Sequence, residues 1–220
     1  SVADEWDAET VTTGGGIINY RADTLVRNSV FHSNMAIKGG AAYNIADERD
    51  PAATAPRFVN VAFVANYAAD RGGAFANDVW TASSCERCVF DGNACGGKGG
   101  GVYLDYSSSP AFTDVRFERN YASDSGGALA VDGSSAPALT RVAIVNNTAR
   151  DAGGGLYVGT YGVSHGSVPN MPTLTSCTIA GNTALWDGED NVFIWANDRP
   201  HLVNTSIEGE WFRDAYMSAR

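Results

Sequence analysis

Asp114, Arg116 and Glu118 lie within the short run TDVRFE. Alternation along an extended strand carries its charged side chains to one face. Carboxylates grouped with a guanidinium are the parts that polysaccharide lyases and glycoside hydrolases use: one group moves a proton while others hold developing charge. Glu86, Arg87 and Arg141 stand at neighbouring positions of the repeat described below. The bland reading is an ordinary solvated face, because the outer side of a strand must be polar in any case.

A second set of acids precedes glycine pairs or their remnants: Asp70, Asp124, Asp151 and Asp187. Stacked repeats would bring Asp124 and Asp151 to about 5 Å. A calcium ion would relieve their repulsion, which makes them the calcium candidates. Hydrogen bonding of each carboxylate to its own turn backbone explains them as well, and further acidic ligands are not evident. His32, His165 and His201 are far apart and no zinc-type spacing completes Cys85-x-x-Cys88, so no metal cofactor is expected beyond that calcium option.

Cys85, Cys88 and Cys95 fall close together and fit either a local disulfide or buried thiols, with Cys177 remote. The longest excursions are 47–56 and 159–172; Tyr161, His165 and Met171 in the second form a candidate binding loop. Asn146-Asn-Thr and Asn204-Thr-Ser are N-glycosylation acceptor patterns if the chain is secreted from a eukaryote.

The elements that must position these groups are set by an internal repeat. A large apolar residue recurs at Phe31, Phe63, Phe90, Phe117, Ile144, Ile179 and Ile207, and the three steps from 63 to 144 are each 27 residues. Asn follows three places later at Asn34, Asn66, Asn93, Asn120, Asn147 and Asn182, while Glu210 breaks the series. A small residue follows at five, glycine pairs at nine and ten in the even repeats, and an alternating apolar pair closes the unit. Short alternating runs cut by turn residues read as strands, and a period near 27 suits three short strands and three turns. The expected fold is all-β: a single-stranded parallel β-helix of about seven coils, with equivalent strands stacked about 4.8 Å apart. Asparagines in such a stack form a ladder, each amide serving the next and satisfying turn backbone groups.

Phe31-His-Ser-Asn34, Phe63-Val-Ala-Asn66, Phe90-Asp-Gly-Asn93 and Phe117-Glu-Arg-Asn120 fit FxxN. Gly39-Gly-Ala-Ala42, Gly72-Gly-Ala-Phe75 and Gly126-Gly-Ala-Leu129 fit GGA followed by an apolar residue. This paired pattern resembles the repeats of the polymorphic outer-membrane protein family. The resemblance implies a right-handed β-helix displayed outside the cell, with an adhesive or structural role.

Fifteen basic against 25 acidic residues leave a net charge of −10, which argues against nucleic acid or an anionic membrane as the main partner. No run of about 18 apolar residues is present to span a bilayer as a helix. The expectation is one β-helical domain over 1–220, a segment of a larger protein, with 208–220 as a cap or contact segment. It acts as a non-catalytic extracellular or cell-surface scaffold, joining other chains or further segments of the same protein at its ends. The alternative is a lyase- or hydrolase-like enzyme, or a glycan-binding β-helix, working along one sheet.

Overall fold

The computed structural model describes residues 13–46, 54–159, 168–186, 190–195 and 198–209, and the backbone of 212–213. Among these, every regular element is a strand and every pairing is parallel, and the strands stack into a parallel β-helix. Each coil adds one rung to every sheet. The first sheet holds Leu25–His32, Arg57–Val64 and then two short strands per coil, such as Ser84–Glu86 with Val89–Asp91 and Ala111–Thr113 with Arg116–Glu118. The second sheet runs from Met35–Lys38 through Ala94–Cys95 to Thr183–Ala184. The third runs from Ile17–Tyr20 through Phe75–Asp78, Val102–Leu104, Leu129–Val131 and Leu156–Val158 to Phe212–Arg213.

A coil therefore has four short strands, where three were expected. The residue three before the repeat's large apolar position takes a left-handed backbone and folds the first face: Asn28, Asn60, Arg87, Asp114, Arg141, Ser176 and Asn204 all have φ between 48° and 56°. Single left-handed residues are sharp corners, and non-glycine residues accept them at modest cost. The glycine pair makes another corner, for two different reasons. Gly126 sits at φ 70°, where a Cβ would also lie 2.7 Å from the Leu129 carbonyl oxygen, whereas Gly127 has no positive φ but a Cβ there would collide with the Gly154 carbonyl oxygen of the next coil.

Stacking in register places like on like. Phe63, Phe90, Phe117, Ile144, Ile179 and Ile207 are successive partners. The rings of Phe31, Phe63, Phe90 and Phe117 stack nearly parallel, with centroids 5.2, 4.6 and 4.8 Å apart. Each such pair adds about 0.5–1.5 kcal/mol beyond the area it buries. Val102, Leu129 and Leu156 from the third sheet complete one continuous core with these side chains.

The asparagines stand in single file. Asn34, Asn66, Asn93, Asn120 and Asn147 each give their side-chain amide to the Oδ1 of the next, ending on Asn182. From Asn66 onward the amide also reaches the carbonyl of a large apolar residue in the preceding coil, as Asn120 does at Phe90. The ladder continues past Asn182 onto Asn191, which enters from the third-sheet side. A second, inward ladder runs Asn19 to Asn44 to Asn77 and closes on Ser83. The sequence reading does not anticipate it. Of the segment 208–220, Phe212–Arg213 pairs with Phe193 and Ile194, and residues 210–211 and 214–220 lie outside the described residues.

Candidate functional site

A cluster of aromatic, cationic and acidic side chains lies on the outer face of the third sheet. Tyr43, Ala76, Tyr103, Ala130, Tyr157 and Phe193 follow one another across the sheet at successive rungs. Alternation turns them away from the core, yet Tyr103 and Tyr157 are only 5% and 4% exposed. What covers them is a row of cations from the glycine corner. The Arg71 guanidinium lies 5.0 Å from the Tyr103 ring centre, and Lys98 Nζ lies 4.6 Å from that of Tyr157. Trp195 Nε1 donates to the Tyr157 hydroxyl at 2.6 Å.

Asp78, Asp105 and Asp132 end three successive rungs of this sheet, 27 residues apart. Each works with both oxygens. Oδ1 accepts the following backbone N–H, from Val79, Tyr106 and Gly133 at 3.0, 2.9 and 3.0 Å. Oδ2 faces the aromatic row: Tyr43 donates to Asp78, Tyr103 and Arg71 donate to Asp105, and Lys98 donates to Asp132. Burial raises the Asp78 carboxyl above its ordinary value, against the pull of the Tyr43 hydroxyl. Burial likewise raises Asp132, more than Lys98 lowers it. For Lys98 itself burial pulls downward, but Tyr157 and Asp132 outweigh it and the ammonium is held charged. Burial also pushes the Tyr103 phenol far up, so it acts as a hydrogen-bond donor. This column is not among the sequence-derived candidates, although its spacing keeps step with the repeat: the signal was an acid at the same third-sheet position in three successive coils.

The residues that the alternative enzyme reading would use are arranged differently. Asp114 is a corner residue and not part of the strand that carries Arg116 and Glu118. Arg141 clasps it through two bonds of 2.6 and 2.9 Å, and that bonding lowers its carboxyl pKa. Glu118 is held by Arg116 at 2.7 Å and by Arg119 at 2.9 Å, and is lowered as well, chiefly through Arg116. Asp114 is exposed and Glu118 half-buried, both are held ionised by arginine, and neither is a proton donor near neutral pH.

Asp124 and Asp151 occupy adjacent rungs, joined by a backbone bond of 2.9 Å, and Asp124 Oδ1 accepts from the Ser125 hydroxyl. No group of three or more His, Cys, Asp or Glu is placed to hold a metal among the described residues. Of the two states left open for the cysteines, the structure holds four buried free thiols. Cys85 and Cys88 both lie in the core, and the Cys88 thiol donates to the backbone carbonyls of Phe58 and Glu86 at 3.5 and 3.4 Å. Cys95 takes the corner that Ala68 and Ala122 fill in adjacent coils, and burial pushes its thiol up to about 12. Met171 is exposed, while Tyr161 and His165 lie outside the described residues. Asn146 and Asn204 are exposed left-handed corners.

Compared with known proteins, residues 87–105 match the Chlamydia polymorphic membrane protein repeat. That segment holds one FxxN unit, Phe90 to Asn93, with the following glycines and the strand Val102–Leu104. No curated protein and no solved structure matches the chain.

Proposed function

We propose that the chain is a rigid, non-catalytic rod on a bacterial outer surface, which holds its turns and insertions away from the cell and joins further coils or other chains at its ends. The unbroken ladder from Asn34 to Asn191 carries this reading. With donors and acceptors matched at each rung, bending the rod would break several buried bonds together. Its seven first-face rungs span roughly 30 Å at the parallel-strand spacing. The matched repeat, from a family described as membrane proteins, supports display at the surface.

Two further observations agree. Among the described residues, the long strand Leu25–His32 pairs on one edge alone, with Arg57–Val64, so its other edge presents backbone groups able to continue the stack. Asp114 and Glu118 are each neutralised by arginine, which suits a solvated face better than acid–base work. The test is a panel of polysaccharides assayed with the folded chain for lyase and hydrolase turnover. Binding or inertness without turnover is expected. Turnover that disappears in Asp114→Asn or Glu118→Gln would replace the scaffold with the enzyme.

A further inference from the structure

We propose that the turn leaving the third sheet is a saccharide-binding site, in which Trp80 and Tyr106 supply the stacking surface and Asp78 and Asp105 accept hydrogen bonds from sugar hydroxyls. This goes beyond the rod reading, which needs no ligand at this corner.

The first observation is strain without burial. Two consecutive residues at this corner have left-handed backbones in three successive coils: Val79 and Trp80 (45° and 51°), Tyr106 and Ser107 (44° and 60°), Gly133 and Ser134 (57° and 65°). The third coil meets the same geometry with a glycine and a serine, so the fold does not call for large residues there. Single left-handed residues recur in every coil, Arg87 and Arg141 among them, but here two follow one another, and a bulky residue in so tight a bend is disfavoured and persists where surroundings or function hold it. Surroundings do not explain Trp80 and Tyr106, which are 40% and 62% exposed.

The second observation is their neighbour. The Val79-Trp80 and Tyr106-Ser107 pairs each follow an aspartate of the column, whose Oδ1 accepts the next N–H and whose Oδ2 accepts a tyrosine hydroxyl. An ionised carboxylate has about four lone-pair sites; Asp78 uses two of them and Asp105 three, which leaves the larger acceptor capacity at Asp78 and one site at the 14% exposed Asp105 side chain. An exposed aromatic face beside carboxylate acceptors suits the apolar faces and edge hydroxyls of a sugar ring.

Charge selects the kind of sugar. Arg71 stands against Asp105 and Lys98 against Asp132, so the strip is close to balanced within a strongly acidic chain. An anionic sugar would meet the aspartates, and a cationic one would meet Arg71 and Lys98. A neutral oligosaccharide meets neither penalty. Both long insertions are also rooted at this corner. Ala46 donates to the Val79 carbonyl at the start of 47–53, and Val168, after 160–167, accepts the Ser134 hydroxyl.

The experiment is calorimetric titration of the folded chain with neutral gluco-, manno- and xylo-oligosaccharides, alongside uronic-acid and amino-sugar oligomers. A neutral oligomer is expected to bind. Trp80→Gly and Tyr106→Gly should each weaken binding about tenfold or more while leaving Tm unchanged or higher, since glycine accepts the backbone geometry. Trp186→Gly, at an exposed tryptophan on another face, should keep wild-type affinity. If Trp80→Gly fails to fold, Tyr106→Gly and Asp105→Asn carry the comparison. The proposal is overturned by absence of binding to folded wild type, by binding confined to charged sugars, or by full affinity in the glycine variants. A fall in Tm for both glycine variants would also overturn it by assigning the aromatics to the fold. None of these outcomes bears on whether the rod turns over polysaccharide.

Discussion

The Oδ1 of Asn147 accepts both the backbone N–H and the side-chain amide of Asn120, each at 2.9 Å. One acceptor thus closes two donors of the coil before it, and the second amide hydrogen of Asn120 closes the Phe90 carbonyl of the coil before that. Removing Asn120 would unpair the two Asn93 donors and the Phe90 carbonyl in the coil before it, and would take one of two donors from Asn147 in the coil after. This is why a polar residue that is 1% exposed supports the fold.

Asn120→Ala is expected to destabilise the chain by about 1–3 kcal/mol, because the Asn93 donors and the Phe90 carbonyl lose partners in a dry site. Urea unfolding followed by circular dichroism would measure it. A midpoint equal to that of a surface variant such as Arg116→Ala would mean the ladder does not contribute.

Asn191→Ala tests the ladder where the repeat fails. Asn191 Oδ1 receives both the N–H and the amide of Asn182, so its loss should also cost about 1–3 kcal/mol. Hydrogen exchange should show the added opening concentrated around Asn182 and the last coils, with coils near Phe63 unchanged.

The two glycines of a corner should respond differently. Gly126→Ala places a Cβ at φ 70° and 2.7 Å from the Leu129 carbonyl oxygen, and is expected to cost about 1–3 kcal/mol. Gly127→Ala drives a Cβ into the Gly154 carbonyl and should cost more, about 2–4 kcal/mol. Denaturation midpoints of the two variants would decide the order.

The thiols should be silent in the folded chain. All four are at most 2% exposed, so a colorimetric thiol reagent at neutral pH should label none until denaturant is added. Cys95→Ala should stay within about 1 kcal/mol of wild type, since alanine fills that corner in the neighbouring coils.

Asp78 gives a pH signature. Its carboxyl is raised in the fold, so its contribution to stability is fully present below the unfolded value of 3.8 and is lost as pH rises through the folded pKa. Relative to Asp78→Asn, the wild type should therefore gain stability between about pH 7 and pH 4. Thermal melts of both proteins across that range would show it; a constant difference would mean that Asp78 is not desolvated. Asp114 and Glu118 have lowered carboxyls and respond oppositely, but they are common to both proteins and cancel.

The repeat makes most of the fold legible in the sequence. Parallel stacking carries each residue onto its own copy 27 places away, so Phe63, Phe90 and Phe117 can be read as neighbours from spacing alone. The corner at Asp114 was not legible: left-handed residues there include Asn, Arg, Asp and Ser, with no common side-chain chemistry to announce the bend. Asn191 was hidden because it reaches the ladder from a different part of the repeat, which no fixed period can reveal.

The site divides along the same line. Sequence alone determined which residues stack and which acids could share a column, because both follow from periodicity. Only the tertiary structure decided that Asp114 and Glu118 are spent on arginines while Asp78, Asp105 and Asp132 are drawn beneath an aromatic and cationic cover. Pairing and burial depend on how side chains from different coils lean across a face. That is set by packing among neighbours, not by the position of any one residue in its repeat.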